Sequence, residues 1–401
     1  MNKKYIKILH SIIDMTRGKP ATDQLMLSEP MYECITPDVI REYIDYFNYG
    51  GVLGIPEARQ LFADVVGVTM DDVLVNDNSS LKLMNDLLTW YMLFGVGSGA
   101  TPWRTLESVR FLCPVPGYDR HFKILEQLGI EMINIRMLPD GPDMDQVEAL
   151  VANDPAIKGI ICVPTYSNPE GITFSNEVVE RLATLTPAAD DFRIFYDDAY
   201  HFHHLDEDYL TRHQANLFKL AQTHGTADRV LIFLSTSKIT IPGAGISALI
   251  TSPANMAYLV QQLSIQSIGP NKVNQLQHVL FLKDAAHLEQ LMQQHAQLLL
   301  PKFQIVNDYL TRYFGETDRI QWMMPHGGYF ISLKCPKGTA KRIIKTCLEH
   351  GVKLTPAGSE FPYQTDPDDH TIRLAPTYLT RDELEQAMHI VCEVIQAVLN
   401  D

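Results

Sequence analysis

The sequence predicts an α/β protein with a large domain, built on a mostly parallel sheet between helices, and a smaller α+β domain. Short β-rich runs alternate with longer helical segments from about residue 72 to 250, a pattern typical of a parallel sheet covered on both faces. Beyond about residue 300 the chain is mostly helical, around one short GGYFI run. The 401 residues allow two or three compact units, and 46 % apolar and 20 % charged residues exclude a disordered or fibrous chain.

The large domain is predicted from seven strand candidates, each short and rich in β-branched or aromatic residues. They are Val73–Val75, Val109–Cys113, Glu131–Ile135, Gly159–Val163, Arg193–Tyr196, Val230–Leu234 and Ile246–Ile250. Helical periodicity lies between several of them, as in Leu81–Phe94 and His121–Leu128. The longest uncharged stretch, Leu87–Trp103, contains three glycines and a proline. It therefore predicts a buried helix and its exit loop.

The smaller domain is predicted from both ends of the chain. A long helix candidate precedes the GGYFI run, and further helices are predicted over Thr339–His350 and Arg381–Asn400. The N-terminal segment has no sheet of its own, so we expect it to pack with the C-terminal part. The predicted bounds are 49–300 for the large domain, and 1–48 with 301–401 for the small one.

Charge and cysteine usage limit the class of protein. With 33 Lys and Arg against 48 Asp and Glu, the net charge is −15, which argues against binding to nucleic acid or to a membrane surface. Six scattered cysteines without C-x-x-C spacing favour a reducing compartment without disulfides or a metal site. Lys7 and His10 interrupt the apolar start of the chain, so we expect no signal peptide and a cytoplasmic location.

Polar residues follow five of the strand candidates. Ligands of open α/β sheets bind outside the carboxyl ends of the strands, so these side chains should converge at one edge. Each segment also has a simpler interpretation, such as a helix cap, a turn, a solvated strand end or a surface lysine. The segments are Asn76-Asp77-Asn78-Ser79-Ser80, Pro114-Val115-Pro116-Gly117-Tyr118, Pro164-Thr165-Tyr166-Ser167-Asn168-Pro169-Glu170-Gly171, Asp197-Asp198-Ala199-Tyr200 and Ser235-Thr236-Ser237-Lys238.

Together these residues are the parts that a pyridoxal-phosphate enzyme needs. Lys238, directly after a buried strand, is well placed to form a Schiff base with an aldehyde cofactor. Asp197 could keep a pyridine nitrogen protonated, which makes the ring an electron sink. The hydroxyls of Ser79 and Ser80 at a helix N-terminus suit a phosphate.

In these segments the chain resembles fold-type I pyridoxal-phosphate aminotransferases of class I/II, in particular the branch known as MocR-type or subgroup Ic aspartate aminotransferases. The similarity extends from Arg17-Gly18-Lys19-Pro20 to Arg373, with the segments in matching order and separation. The strongest matches are Tyr49-Gly50-Gly51…Gly54-Ile55-Pro56-Glu57-Ala58-Arg59, Tyr166-Ser167-Asn168-Pro169-Glu170-Gly171, Asp197-x-Ala199-Tyr200, Ser235-Thr236-Ser237-Lys238 and Ile372-Arg373-Leu374.

The resemblance implies a role for each matching residue. Lys238 would hold the cofactor and later move the proton between Cα and C4′, while Asp197 would pair with the pyridinium nitrogen. Arg373 would clamp the substrate α-carboxylate, and Gly18 would lie close to the substrate on a mobile N-terminal segment. The remaining contacts to the cofactor would come from Asn168 and Tyr200 at the phenolic oxygen, Tyr118 on the ring, Ser79, Ser80, Ser235 and Ser237 at the phosphate, and Tyr49 at the phosphate of a neighbouring subunit.

The chain departs from most of the superfamily at one position. An arginine usually follows the lysine by about eight residues and binds the phosphate, whereas Pro242-Gly243-Ala244-Gly245-Ile246 offers no cation. Serine hydroxyls and backbone N–H groups would then have to suffice. A dicarboxylate substrate also needs a second cation, and the sequence does not choose among Arg17, Lys19, Arg120 and Lys272.

The expected protein is thus a homodimeric enzyme with shared active sites and a ping-pong mechanism through the Lys238 Schiff base. It would move the amino group of an L-amino acid to a 2-oxo acid, with aspartate and 2-oxoglutarate as first choice. A β-lyase or decarboxylase is the alternative on the same scaffold, because Lys238 and Asp197 serve those reactions equally.

Two further alternatives are disfavoured by the sequence. Gly243–Ala248 matches the dinucleotide fingerprint G-x-G-x-x-A, but it leads into a predicted strand instead of the helix that a dehydrogenase requires. A non-catalytic, pyridoxal-phosphate-binding domain of a MocR-type regulator would carry a DNA-binding domain ahead of the fold. About 15 residues precede Arg17, too few for such a domain.

Overall fold

The computed structural model describes residues 11–97, 99–206 and 214–400. All seven predicted strands are present, with ends that differ by at most three residues from the predicted ones. The strands are β1 (Ile13–Asp14), β2 (Val73–Asn76), β3 (Arg110–Val115), β4 (Glu131–Leu138), β5 (Gly141–Pro142), β6 (Ile157–Cys162), β7 (Arg193–Asp197), β8 (Val230–Ser235), β9 (Ser247–Ile250), β10 (Gln321–Trp322), β11 (Ile331–Lys334), β12 (Val352–Lys353) and β13 (Thr371–Leu374).

The predicted helices are also present. The helices of the described residues are α1 (Thr22–Met26), α2 (Pro37–Glu42), α3 (Pro56–Val66), α4 (Ser80–Phe94), α5 (Asp119–Gln127), α6 (Met144–Val151), α7 (Asn176–Ala183), α8 (Leu217–His224), α9 (Pro253–Gln266), α10 (Lys272–Leu282), α11 (Ala285–Phe314), α12 (Ala340–Glu349) and α13 (Arg381–Asn400). None of them is long and apolar enough to cross a membrane.

The large sheet has the strand order β2-β9-β8-β7-β6-β3-β4-β5. The pairs β8–β7, β7–β6, β6–β3 and β3–β4 are parallel, which confirms the predicted sheet type. Strand β9 is antiparallel to both of its neighbours, β8 and β2. The carboxyl ends of the central strands therefore meet at one edge of the sheet.

Both faces of this sheet are buried under helices. In β8, Val230 and Ile232 belong to one apolar cluster with side chains of α6, α7 and α8. The alternate residues Leu231 and Phe233 belong to a second cluster with side chains of α4, α5 and α9. Because successive side chains of a strand point to opposite faces, this division explains why the strands read as continuous apolar runs.

A second, three-stranded antiparallel sheet has the order β10-β11-β13. It packs with α11, α12 and α13 around a separate apolar core. The N-terminal strand β1 pairs in parallel with β12, so this end of the chain lies beside the C-terminal part.

The predicted domain bounds stay a prediction. Residue 300 lies inside α11, which is continuous from Ala285 to Phe314. Within the predicted small domain, Ile35 and Tyr43 are partly buried against the core of the large sheet. Lys7 and His10, on which the expectation of no signal peptide rests, lie outside the described residues.

Candidate active site

Lys238 lies in the turn after β8, at the edge where the parallel strands end. Its Nζ is 4.9 Å from the ring centroid of Tyr200, which follows the neighbouring strand β7. Burial lowers the pKa of the Lys238 ammonium below its ordinary value, although the negative charge of Asp197 acts in the opposite direction. A lowered pKa increases the share of neutral amine, which is the nucleophilic form.

Three buried histidines hold the turn that carries Lys238. His278 Nε2 lies 2.9 Å from the Thr240 hydroxyl, and His295 Nε2 lies 3.0 Å from the Ile239 carbonyl oxygen. His203 Nε2 lies 3.3 Å from the carbonyl oxygen of Lys238 itself. Burial lowers the pKa of His278 and of His295 to about 4, so both are neutral near pH 7. The lysine backbone is thus fixed from several sides.

Asp197, the last residue of β7, is buried at the centre of the site. Its Oδ2 lies 2.9 Å from Nε2 of His121 on α5, while its Oδ1 has no hydrogen-bond partner in the part of the chain that is described. A buried carboxylate oxygen without a partner is costly unless a ligand supplies a donor. Asp198 Oδ1 also lacks a hydrogen-bond partner among the described residues, so the two aspartates differ in what Oδ2 meets: that of Asp198 lies 2.6 Å from Nδ1 of His201. Both aspartates are buried, so their interpretation as solvated strand ends is wrong.

Tyr118 and His121 form one wall of the site. Their rings are 5.0 Å apart in an edge-on arrangement, and Tyr118 directly precedes α5. Burial, together with the charges of Asp119 and Asp197, raises the pKa of the Tyr118 hydroxyl well above its ordinary value, so it stays protonated. A neutral aromatic ring at this position is suited to contact a planar ligand.

Arg373, on β13 of the second sheet, reaches the same site. Its Nη1 donates to Asn168 Oδ1 at 3.2 Å, and its Nη2 donates to Thr355 Oγ1 at 3.2 Å. The guanidinium carbon lies 4.8 Å from the centroid of the Phe330 ring. The residue is 6 % exposed. Such a fixed, buried guanidinium is the group that binds a carboxylate in two-pronged fashion.

Gly18 makes room for this arrangement. A Cβ atom at Gly18 would lie 2.4 Å from Cζ of Phe330, the ring that packs on Arg373. The absence of a side chain at Gly18 therefore lets the N-terminal segment approach the arginine closely.

The serines predicted to bind phosphate lie at the start of α4 and after β8. Ser79 has the backbone conformation of a helix cap, but its side chain makes no capping hydrogen bond, and Ser80 is the first helical residue. Ser235 ends β8, and Ser237 Oγ donates to the Asn78 carbonyl oxygen at 3.4 Å. The uncapped N–H groups and hydroxyls of this helix start suit an anion.

The segment without the expected arginine borders a cavity. The cavity has a volume of about 520 Å³, and its lining residues include Asn78, Gly243, Gly245 and Asn274. A Cβ atom at Gly245 would lie 3.0 Å from the Asn78 carbonyl oxygen, so glycine permits the close approach of these two loops. Asn274 Nδ2 donates to the Gly245 carbonyl oxygen at 3.1 Å. None of these lining residues is a cation.

Tyr49 is the predicted site residue that the single chain does not bring to the others. Its side chain is 82 % exposed. Its carbonyl oxygen accepts a hydrogen bond from Lys272 Nζ at 3.3 Å, and Lys272 also donates to the Asp45 carbonyl oxygen. Of the other candidate cations, Lys19 Nζ lies 3.8 Å from the Tyr378 ring centroid, and Arg17 and Arg120 are exposed.

Two residues of the site were not predicted from the sequence. His121 appeared only as the start of a helical segment, and its place one turn after Tyr118 on the buried face of α5 was the available signal. Glu360, which is 1 % exposed, lies 3.9 Å from Arg373, measured from Oε1 to Nε. No motif marks Glu360.

Comparison with known proteins agrees with this geometry. The family described as "Aspartate amino-transferase" matches residues 5–400. An aspartate aminotransferase of Corynebacterium glutamicum is 42 % identical over 378 residues, 94 % of this chain and 87 % of that protein. A crystal structure of an aspartate transaminase from the same species has a TM-score of 0.92 at 41 % identity and covers 97 % of this chain and 92 % of that one.

A more distant solved structure shares the fold. It is an α-aminoadipate aminotransferase of Thermus thermophilus complexed with N-(5′-phosphopyridoxyl)-L-leucine, with a TM-score of 0.79 at 21 % identity. The alignment covers 98 % of this chain and 94 % of that chain. The similarity extends over both sheets.

Proposed function

From the premise that the chain belongs to the aspartate aminotransferase family and is an aminotransferase, we propose that it moves the amino group of an L-amino acid to a 2-oxo acid by a ping-pong mechanism. Aspartate is the proposed donor, as in the name of the relative from Corynebacterium glutamicum, and 2-oxoglutarate is the proposed acceptor. One observation carries the proposal: Lys238, with its lowered pKa, lies at the strand ends within the electrostatic influence of buried Asp197, whose Oδ1 has no hydrogen-bond partner among the described residues.

The cofactor is pyridoxal phosphate, which when bound supplies an aldehyde for a Schiff base and a ring that accepts negative charge from the substrate. The residues present fit this group. Asp197 Oδ1 is a buried acceptor that no donor of the described residues reaches, and a protonated pyridine nitrogen would provide one. The side chain of Ser79, which makes no capping bond, lies at a helix start that is suited to a phosphate.

Lys238 holds the cofactor and moves the proton of the reaction. With a substrate amino acid bound, the free amine of Lys238 would take the proton from the substrate Cα and return it at the cofactor C4′, and a water molecule would then release the first 2-oxo acid. Burial supports this role, because it lowers the pKa of the Lys238 ammonium and so increases the share of neutral amine. In the second half of the cycle Lys238 carries the proton back, and the 2-oxo acid leaves as an amino acid.

Arg373 and Asn168 fix the substrate in this proposal. Arg373 binds the α-carboxylate, and the hydrogen bond from its Nη1 to Asn168 Oδ1 orients the guanidinium. Asn168 and Tyr200 also contact the phenolic oxygen of the cofactor. Tyr118 stacks on the ring, and Ser80, Ser235 and Ser237 join Ser79 at the phosphate.

The active enzyme is a cytoplasmic homodimer in which Tyr49 reaches the phosphate site of the partner subunit. The 82 % exposure of the Tyr49 side chain supports a role outside its own subunit. The partner's tyrosine would also bring a hydroxyl to a phosphate site whose nearby cavity has no cation among the lining residues named above.

A product assay tests this function against the alternatives. Holoenzyme is incubated with each of the 20 L-amino acids and 2-oxoglutarate, and glutamate, ammonia and carbon dioxide are measured together. We expect aspartate to yield one glutamate per molecule consumed, without ammonia, and no catalytic release of carbon dioxide when 2-oxoglutarate is left out. Ammonia would indicate a β-lyase, and carbon dioxide released catalytically without 2-oxoglutarate would indicate a decarboxylase. Glutamate formed from another donor would keep the reaction and replace the substrate.

A further inference from the structure

Arg373 and Glu360 face each other as two buried groups with unused hydrogen-bonding capacity. Nε of Arg373 and Oε2 of Glu360 have no hydrogen-bond partner in the described ranges, whereas both Nη atoms of the arginine donate hydrogen bonds. The shortest distance between the pair, from Oε1 to Nε, is 3.9 Å, too long for a hydrogen bond. Glu360 is 1 % exposed, so little water can satisfy its carboxyl.

Glu360 is held in place independently of its side chain. Its carbonyl oxygen accepts a hydrogen bond from the Gly117 N–H at 2.8 Å, which ties it to the turn before Tyr118. The Glu360 carboxyl approaches the guanidinium of Arg373 at Nε, whereas Asn168 is bonded to Nη1. The carboxyl therefore lies beside the site but outside the predicted contacts with the substrate.

The charges around Glu360 come from three elements. Arg373 on β13 is the cation, Asp119 on α5 lies 3.6 Å from Arg373, measured from Oδ1 to Nη1, and Asp366 lies in the loop before β13. Two carboxylates thus flank a single guanidinium. A substrate carboxylate that joins them adds a further negative charge to a region of low dielectric constant.

We propose that Glu360 is a positioning residue that couples the binding of the substrate carboxylate at Arg373 to the uptake of one proton by Glu360. The inference rests on the proposed role of Arg373. When Glu360 is ionised it competes with the substrate for the guanidinium, and when it is protonated the full positive charge of Arg373 is available.

The electrostatics of the unliganded site support this coupling. Burial raises the pKa of Glu360 to about 7, with Arg373 acting to lower it and Asp119 and Asp366 acting to raise it. A carboxylate bound to Arg373 neutralises the charge that lowers this pKa. Binding and protonation therefore favour each other, as linkage requires.

The coupling predicts a specific pH dependence. Above about pH 7, the KM of wild type for the amino donor should rise with pH, because one proton is bound together with the substrate. The rise should approach a factor of about ten per pH unit. In the Glu360→Gln variant, whose side chain is always neutral, this rise should be absent and the KM at pH 8.5 should lie below the wild-type value. Glu360→Asp keeps an ionisable group and should keep the rise.

Calorimetry measures the proton directly. Holoenzyme is titrated at pH 8 with succinate, the non-reacting analogue of aspartate, in two buffers with different ionisation enthalpies. The difference in heat gives the number of protons taken up per succinate bound. We expect wild type and Glu360→Asp to take up more protons per succinate bound than Glu360→Gln, with a difference that approaches one proton. Glu126→Gln, a change of an exposed glutamate on α5, serves as the control and should match wild type.

The outcomes separate this inference from the proposed function. If wild type takes up no proton, or if Glu360→Gln takes up as many as wild type, the coupling is wrong while the aminotransferase reaction stands. The wild-type result does not depend on the folding of any variant. If the Arg373→Gln variant binds succinate as tightly as wild type does, the assigned substrate site is wrong, and the coupling fails with it.

Discussion

At the scale of single residues, function depends on pairs whose members are far apart in the chain. Asp197 meets His121 across 76 positions, and Arg373 meets Asn168 across 205. The sequence predicted Asp197, Asn168 and Arg373 because each lies in a segment with a strong family motif. It did not predict His121, because helical periodicity shows that a residue is buried but not which side chain it meets.

Glu360 is the clearest limit of prediction from the sequence at this scale. The Glu360 carboxyl can have a functional role only because it lies beside Arg373, 13 positions later in the chain. At this place burial raises the pKa of Glu360 to about 7. A glutamate between a serine and a phenylalanine in a loop is otherwise indistinguishable from a surface residue. Burial and charge are properties of the folded site, so no local pattern carries them.

Asp197→Asn should lower kcat on the order of a hundredfold or more, with a smaller change in KM. The amide has the shape of the carboxylate but cannot stabilise a positive charge on the cofactor ring, an electrostatic contribution of the kind that usually dominates catalysis. Steady-state kinetics with saturating cofactor measure the effect. Asp198→Asn is the matched control, because Asp198 faces His201 instead. Equal losses in the two variants would contradict the assignment of Asp197.

At the scale of elements, the strands of the large sheet other than β5 were predictable because each has four or more residues and is mostly apolar. The two-residue strands β1, β5, β10 and β12 were not, since two residues carry no periodicity. The GAGISA segment shows how an element decides between functions. Its last residues form strand β9 instead of a helix, so the dinucleotide fingerprint lacks its required context.

The turn after β8 should make the protein sensitive to acid. Burial lowers the pKa of His278 and His295 to about 4, below the value of about 6.5 in an unfolded chain. The unfolded state therefore binds more protons between these values, and the free energy of unfolding should fall as the pH drops from 6.5 to 4. Each histidine contributes up to about 1.4 kcal/mol per pH unit.

Urea unfolding between pH 4.5 and 7.5 tests this expectation. We expect His278→Gln to unfold at a lower urea concentration than wild type at pH 7, because it loses buried hydrogen bonds, but to show a shallower decline towards acid pH. His224→Gln changes a partly exposed histidine at the end of α8 and should decline as wild type does. An unchanged slope in His278→Gln would mean that His278 does not titrate in this way.

At the scale of the whole molecule, the order of the elements predicted the fold type, whereas the homodimer was implied only by the family resemblance. The alternation of strands and helices along the chain predicts a sheet between helices. An interface between two copies leaves no periodic pattern in the sequence. The domain bounds illustrate the same difficulty, because α11 runs without a break through the predicted boundary at residue 300. The branch within the family, MocR-type or subgroup Ic, stays a prediction.

The proposed dimer predicts that sedimentation experiments give a mass twice that of one chain. It also predicts a phosphate site to which both subunits contribute. Tyr49→Phe should weaken cofactor binding by about 10- to 100-fold, the effect of losing one hydrogen bond to a charged group. Titration of the apoenzyme with pyridoxal phosphate measures this change. Tyr32→Phe, at another exposed tyrosine, is the control. A monomer with full cofactor affinity would contradict the shared site.

The central claim, that Lys238 carries an amino-group transfer on pyridoxal phosphate, is tested most directly by the visible absorption spectrum before and after addition of L-aspartate. Wild type should show a yellow band that gives way to the band of the pyridoxamine form, while Lys238→Ala stays folded and does not make this conversion. Lys341→Ala, at an exposed lysine of α12, should behave as wild type. A Lys238→Ala protein that converts as fast as wild type, or a wild type that takes up no pyridoxal phosphate, would contradict the claim.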